Sequence, residues 1–296
     1  MPVCEQVKDD VKLLRSQEEM IKDHYRENLE DYLFWSPSGN MHFGYWHGGL
    51  GFFNRDQQIQ EMNHQVLNAC NLKEDNHLLD LGCGLGGLLR SAYERNENLK
   101  LHGISIVEEQ IEKARKFGLP QIEYRLGNFS SLPYREESMH ACTAMESSCY
   151  AQGESKKDLI AQAAKVLKPN GRLVIADFFI KADAKLGQNT VNLLKKWGDN
   201  WGIVEIGRLD KVQHALEENG FENIEVKNIS KNLIPSLLQV PFLVVIHLAL
   251  LILKGKCNKS RWEHMQSCLL CIPLAIQAHK FTYSIISASK VDHAAH

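Results

Sequence analysis

Between about residues 77 and 180 the chain alternates two kinds of stretch. NHLLDLG, LKLHGISI, QIEYRLG, MHACTAM and GRLVIADFFI are short, nearly continuous apolar runs. Such runs suit strands buried on both faces. Between them lie stretches with helical spacing. SKKDLIAQAAKVLKPNG is one, with Ser155 placed as a cap and Pro-Asn-Gly as a stop. This alternation predicts an α/β fold with a doubly wound parallel sheet. The first thirty residues are charge-rich and helical in pattern, and SPSGN (Ser36 to Asn40) breaks them off. The last third is helical and strongly apolar, and it closes on KFTYSIISASK, which reads as a final strand.

The apolar extreme is IPSLLQVPFLVVIHLALLIL, Ile234 to Leu253, which carries no charge. KGKCNKSR comes next, with four positive charges and no acid. Twenty uncharged residues beside a basic flank have the length of a membrane span. Two features argue against one. Pro235 and Pro241 fall early, so the uninterrupted helix is expected to start at Pro241, a favoured first-turn residue. From there to Leu253 it would reach about 20 Å, short of the roughly 30 Å hydrocarbon core. The final strand must also return to the same sheet, which a single crossing forbids. The run is therefore expected to wall an apolar pocket. Residues 241–261 are candidates for peripheral membrane contact, with Lys254, Lys256, Lys259 and Arg261 facing anionic headgroups.

Composition narrows the class further. Of 296 residues 24% are charged, and the net charge is -2. That is the balance of a soluble globular protein, and it argues against an electrostatic nucleic-acid binder. The opening MPVCEQVKDDVK has no apolar core of a signal peptide. The eight cysteines are scattered through apolar stretches, as expected of reduced thiols in a cytoplasmic protein. Cys268 and Cys271 form a lone CxxC without a second ligand pair, so no metal site is expected. Oligomeric state has no signature in the sequence.

The chemistry begins at LLDLGCGLGG, Leu78 to Gly87. Asp80 ends a strand. Gly82 and Gly84, around Cys83, let the backbone turn sharply and let a ligand approach where a Cβ would block it. The first amides of the following helix are expected to face that ligand. A glycine-rich turn alone is a weak signal, because dinucleotide-binding proteins share it. An acid ahead of the glycines is unsuited to a pyrophosphate. It suits a cation or a ligand with a free amino group.

At this point the sequence resembles the class I S-adenosylmethionine-dependent methyltransferases, over roughly residues 70 to 230. LLDLGCGLGG, HGISIVEEQIEKAR, RLGNFSSLPYREESMHACTAME and LKPNGRLVIADFF follow the order of that family's motifs. The resemblance implies a seven-stranded Rossmann-like methyltransferase sheet. Residues 1–55 would form an N-terminal helical lid, 56–230 the cofactor-binding core, and 231–290 a C-terminal helical cover with the final strand in the same domain. It implies S-adenosyl-L-methionine as cofactor, held by Tyr25, Asp80, Gly82, Cys83, Gly84, Ser105, Ile106, Gln110, Gly127, Asn128 and Phe129. The second strand ends in Gly-Ile-Ser where an acid is usual in the family. The G-I-S-x-x-x-x-Q pattern is similar to that of enzymes that methylate sterols, tocopherols and unsaturated acyl chains. Ser105 and Gln110 take the ribose role there. Asn128 replaces a common Asp and is expected to accept from the adenine amino group.

AMESSCYAQ follows the fourth strand and places Glu146 outside a carboxyl end of the sheet. The stretch resembles one in sterol C-methyltransferases, with Tyr150 where a histidine is usual. Glu146 would take a proton after methyl transfer, hold a polar group of the substrate, or merely cap the next helix. HYRENLEDYLFWSPSGNMHFGYW resembles the family's lid. Tyr25, His42, Tyr45 and Trp46 belong to it, and aromatic rings suit a sulfonium. His42 and Tyr45 are candidate catalytic residues beside Glu146, although a lone histidine is more often a structural hydrogen bonder than a base. Trp46, Tyr150, Trp197, Trp201, Phe242 and His247 are candidate substrate-pocket residues, and the two tryptophans four apart fit a packing stripe equally well. The reading is methyl transfer to a hydrophobic lipid-like, terpenoid or sterol-type small molecule, at carbon. Alternatives are O- or N-methylation of a secondary metabolite, cyclopropane formation on acyl chains, and a non-catalytic cofactor-binding scaffold.

Overall fold

The computed structural model describes residues 2–117 and 119–292, with the backbone alone for residues 2–16 and Ser260. Its centre is one eight-stranded sheet in the order β3-β2-β1-β4-β5-β8-β7. The strands are β1 (His77–Leu81), β2 (Lys100–Ser105), β3 (Ile122–Leu126), β4 (Met139–Met145), β5 (Leu167–Ile180), β6 (Gly207–Arg208), β7 (Phe221–Asn228) and β8 (Phe281–Lys290). The two-residue β6 pairs with the end of β5. β1 to β5 run parallel, and β8 lies antiparallel between β5 and β7.

Helix cover on both faces explains the continuous apolar runs of the strands. Leu78 packs on one side with Met62 and Val66 of α2 (Arg55–Cys70), Leu88 and Leu89 of α3 (Gly87–Arg95) and Ile111 of α4 (Glu108–Lys116). Leu79 and Leu81 pack on the other with Leu159 and Ile160 of α5 (Lys157–Val166) and Val212 and Leu216 of α7 (Leu209–Glu218). The chain winds outward from β1 through β2 and β3, then from β4 through β5. β1 and β4 are adjacent, with Asp80 level with Thr143. Their carboxyl ends therefore flank the crevice where ligands bind in sheets of this kind.

Two expected boundaries differ. α5 starts at Lys157 and has no side-chain cap from Ser155. Lys156 instead holds the left-handed cap at φ 57°. Its buried ammonium donates to the carbonyls of Ala151 at 2.8 Å and Glu205 at 2.7 Å, which fixes that turn. The apolar run forms one helix, α8 (Ile234–Leu253), with Pro235 in its first turn and Pro241 inside it. The helix therefore starts seven residues before the expected Pro241.

Three further helices frame the crevice. α1 (Pro2–Trp35) crosses its mouth, and α6 (Gln188–Asp199) and α9 (Lys259–Ile276) close the far side. α8 lays Val240 and Val244 against Met265 and Cys268 of α9. α1 is pinned to α8 by Asp31, whose Oδ1 lies 2.8 Å from Nε2 of His247. His247 also stacks on Phe34, ring centroids 4.1 Å apart.

Candidate active site

Two cavities meet at the carboxyl ends of β1, β2 and β4. The first, about 240 Å³, lies against the glycine loop. Gly82 (φ 90°) and Gly84 (φ 52°) line it, and both need a left-handed backbone that side chains resist. A Cβ on Gly84 would project to within 3.1 Å of the Met41 sulfur, into the gap between loop and lid. Met41 thus packs against the bare backbone of Gly84, at the rim of the cavity. The first turn of α3 does not line this cavity, contrary to the sequence expectation, because Asn40 packs over Gly87.

Around the loop the cavity is walled by Tyr25, Ser105, Ile106, Gln110, Gly127, Asn128 and Phe129. Ser105 Oγ donates to Gln110 Oε1 at 2.7 Å and accepts from the Val107 amide at 3.1 Å. Among the described residues the Gln110 amide nitrogen has one partner, the Met41 sulfur at 3.9 Å, which leaves a strong donor at the cavity wall. Asn128 behaves differently from the expectation. Its Oδ1 already accepts from the amide and hydroxyl of Ser130, both at 2.8 Å, and its amide donates to Glu18 at 2.6 Å. It ties the loop to α1 rather than offering a free acceptor. Asp80 and Cys83 lie behind the loop and do not line the cavity. Burial raises the Asp80 carboxyl to about 7, against a hydrogen bond from Thr143 at 2.9 Å that lowers it.

The second cavity, about 270 Å³, is apolar and aromatic. Tyr32, Phe178, Trp197, Trp201, Phe281 and Tyr283 are among its walls. Among the described residues, four line both cavities: Tyr25, Met41, Glu146 and Tyr150. The hydroxyls of Tyr25 and Tyr150 are 2.7 Å apart, so the two rings form one edge of the passage. Glu146 forms the opposite charge-bearing side. Its backbone is left-handed at φ 48°, held by an amide bond to Ala176 O at 2.8 Å. Its Oε1 accepts from the Phe43 amide at 2.9 Å and the Tyr283 hydroxyl at 2.8 Å. Oε2 has no hydrogen-bond donor among the described residues. Burial pushes this carboxyl up to about 8, although both hydrogen bonds pull it down.

Other expected residues fall outside the junction. His42 lines only a side chamber of about 60 Å³. Its ring nitrogens are engaged by Phe43 O at 2.9 Å and Asn40 Oδ1 at 3.3 Å, and burial lowers it to about 4, so it stays neutral. Tyr45 packs in the core, and Trp46 bonds to Leu50 O and Asn232. Neither lines either cavity. Phe242 is 70% exposed on the outer side of α8, and His247 serves the α1 pin. The sequence reading did not single out Tyr32, Phe178 or Tyr283. Phe178 sits near a carboxyl end of the sheet, the one signal that could have marked it.

This arrangement defines the class. A doubly wound sheet carries a glycine cradle at its switch point, and a single carboxylate joins it to an apolar chamber. A family model described as a methyltransferase domain matches residues 79–175. The O-methyltransferase resE of Aspergillus sclerotiorum is 26% identical over 220 residues, 72% of this chain and 78% of that one. The 24-methylenesterol C-methyltransferase 2 of Oryza sativa subsp. japonica is 27% identical over 209 residues, 68% of this chain and 55% of that one. The cyclopropane synthase MmaA2 of Mycobacterium tuberculosis superposes with a TM-score of 0.77 at 15% identity, covering 92% of this chain and 98% of that one. Residues 79–175 thus form a methyltransferase domain, and its relatives support methyl transfer from S-adenosylmethionine.

Proposed function

We propose that the enzyme methylates a hydrophobic, lipid-like or terpenoid small molecule, at carbon. The observation that carries this reading is the shared wall. Glu146, Tyr25, Met41 and Tyr150 border both the cofactor cavity and the apolar chamber. S-adenosylmethionine supplies an electrophilic methyl group on a sulfonium when bound beside the loop. The residues of this chain do the rest. Gly82 and Gly84 admit it, Ser105 and Gln110 hold a ribose hydroxyl, and Tyr25 presents an aromatic face to a cation. The chamber walls exclude water and hold the acceptor in line. Glu146 Oε2 takes the proton that an alkene carbon must lose after methylation, and the Tyr283 hydroxyl and Phe43 amide keep Oε1 in place. Carbon is favoured because the chamber offers rings for a developing cation, and Glu146 is the one carboxylate, among the described residues, shared by both cavities.

The likeness to a named O-methyltransferase keeps a second reading in view. There Glu146 would take the proton of a hydroxyl. Incubation with methyl-labelled cofactor and a lipid extract, followed by mass spectrometry, separates the two. A label that survives ether and ester cleavage is the expected result. Label released by that cleavage assigns the acceptor as oxygen.

A further inference from the structure

The outer side of α8 is a continuous apolar stripe. Ile234, Leu238, Phe242, Val245, Ile246 and Leu253 are 48 to 82% exposed. Their spacing of three, four and seven residues puts them on one face, opposite buried Val240, Val244, His247 and Leu251. α9 adds Trp262, Leu269, Ile272 and Ile276, all exposed. Soluble surfaces rarely show so large an unbroken apolar area without a partner.

Two observations identify the partner. The first is charge. The turn joining α8 to α9 carries Lys254, Lys256 and Lys259, all exposed. Two of these meet acids, Lys256 with Glu30 at 3.5 Å and Lys259 with Glu263 at 3.8 Å. Arg261 also reaches Glu30, at 3.1 Å. The edge remains net basic, and Lys231 adds a positive charge at the opposite end of the face. The second is the chamber's opening. Of the residues lining the apolar chamber, the exposed ones are Lys231, Ile234, Ala275 and Ala278. These sit where α8 begins and α9 ends, inside the greasy face.

α8 is long and apolar enough to cross a membrane. The return of the chain to the sheet excludes a single crossing by α8. β8 pairs along nine positions with β5, within the sheet that holds the cofactor site. We infer that the α8–α9 hairpin lies flat on an anionic lipid bilayer, apolar side down, and that the substrate passes from the bilayer into the chamber between Ile234 and Ala278. The docking stands on the exposed face alone. The access route rests on the proposed reading of the chamber as a lipid-substrate site.

The test is sedimentation of the full chain with vesicles of phosphatidylcholine, alone or mixed with phosphatidylglycerol. Wild type should sediment with the mixed vesicles about tenfold more strongly than with the neutral ones. Val245→Glu with Ile246→Glu should abolish sedimentation and leave cofactor affinity and circular dichroism unchanged. Lys254→Glu with Lys259→Glu should erase only the preference for the anionic lipid. Wild type that stays in the supernatant with both vesicles overturns the docking. So does sedimentation that survives the double glutamate change. A dimer that the same change splits, without vesicle binding, assigns the face to a second copy and overturns it too. Ala275→Trp with Ala278→Trp should slow labelling of a lipid extract severalfold at unchanged cofactor affinity; unchanged labelling overturns the route. Vesicle binding without any labelled product supports the docking and defeats the substrate reading, so the two failures are distinguishable.

Discussion

Glu146 holds a left-handed backbone, two donors on one oxygen and none among the described residues on the other. For a non-glycine residue that conformation costs of order 1 kcal/mol or more, and it aims the carboxylate at the junction rather than along the sheet. Glu146→Gln keeps the size and both donors but cannot take a proton. It should lower kcat about 10²- to 10⁴-fold with the cofactor dissociation constant nearly unchanged, as read by steady-state kinetics and calorimetry. The pH profile carries the same signature. With the carboxyl at about 8 in the free protein, kcat/KM for the cofactor should rise through that pH. At saturating cofactor the inflection should move lower, because a neighbouring cation favours the carboxylate. The glutamine variant should show neither step. Glu146 was legible in the sequence because it ends a strand at a predictable place, and Ser105 and Gln110 because a local motif sets them in contact. Tyr45, Trp46 and Phe242 were not. Their side chains point where a turn or a helix face is rotated by distant packing, which sequence spacing does not encode. Tyr283 approaches Glu146 across 137 positions of chain, and nothing local marks it.

The strands were readable for a simple reason. The central strands β1, β4 and β5 are covered on both faces, so their apolar runs are short and unbroken. The start of α8 was not readable, because a proline within an apolar run looks like a boundary. Pro241 sits inside the helix, where the carbonyl of Leu237 loses its amide donor. Apolar packing of Val240 and Val244 on α9 outweighs that loss. Pro241→Ala should therefore stabilise the protein by roughly 1–2 kcal/mol, seen as a shift of the urea midpoint at unchanged slope. The lid depends on another inter-helix contact. Asp31 of α1 is fully buried, 2.8 Å from His247 and 3.9 Å from Arg261. Asp31→Ala leaves His247 unanswered and Arg261 with Glu30 alone. The expected loss is about 1–3 kcal/mol of stability, with severalfold weaker cofactor binding, because the same helix carries Tyr25 over the cavity. Asp31→Asn keeps an acceptor for His247 and should retain most of the affinity. Isothermal titration of both variants checks the ranking.

At the scale of the whole chain, the site's buried charges set how stability depends on pH. Two groups of residues pull in opposite directions. His24 and His42 are lowered to about 4 and His264 to about 3, each mainly by burial. Below their ordinary 6.5 the unfolded chain binds protons that the folded one refuses, so stability falls as pH drops from 6.5 toward 4. Asp80 at about 7 and Glu146 at about 8 behave inversely. Between their ordinary values near 4 and these raised ones, the folded chain holds protons that the unfolded one releases. They make stability fall as pH rises toward 8. Up to pH 6.5 these histidines, joined by His77, His102 and His140, which burial lowers as well, oppose Asp80, Glu146 and the raised Asp177, and the histidines prevail. Above 6.5 the histidine contribution fades over about one pH unit and the carboxyls prevail. Stability should therefore peak near pH 6 and decline by roughly 1–2 kcal/mol between pH 6.5 and 8, at about 1.4 kcal/mol per proton per pH unit. Urea unfolding across pH 5 to 9 measures the curve, and Glu146→Gln should flatten its alkaline side and steepen its acid side, because the proton it removes opposes the histidines across that whole range. A curve still rising from pH 6.5 to 8 in the wild type would mean that burial raises neither the Asp80 nor the Glu146 carboxyl, and would remove the protonated Glu146 from the junction where the proposed transfer occurs.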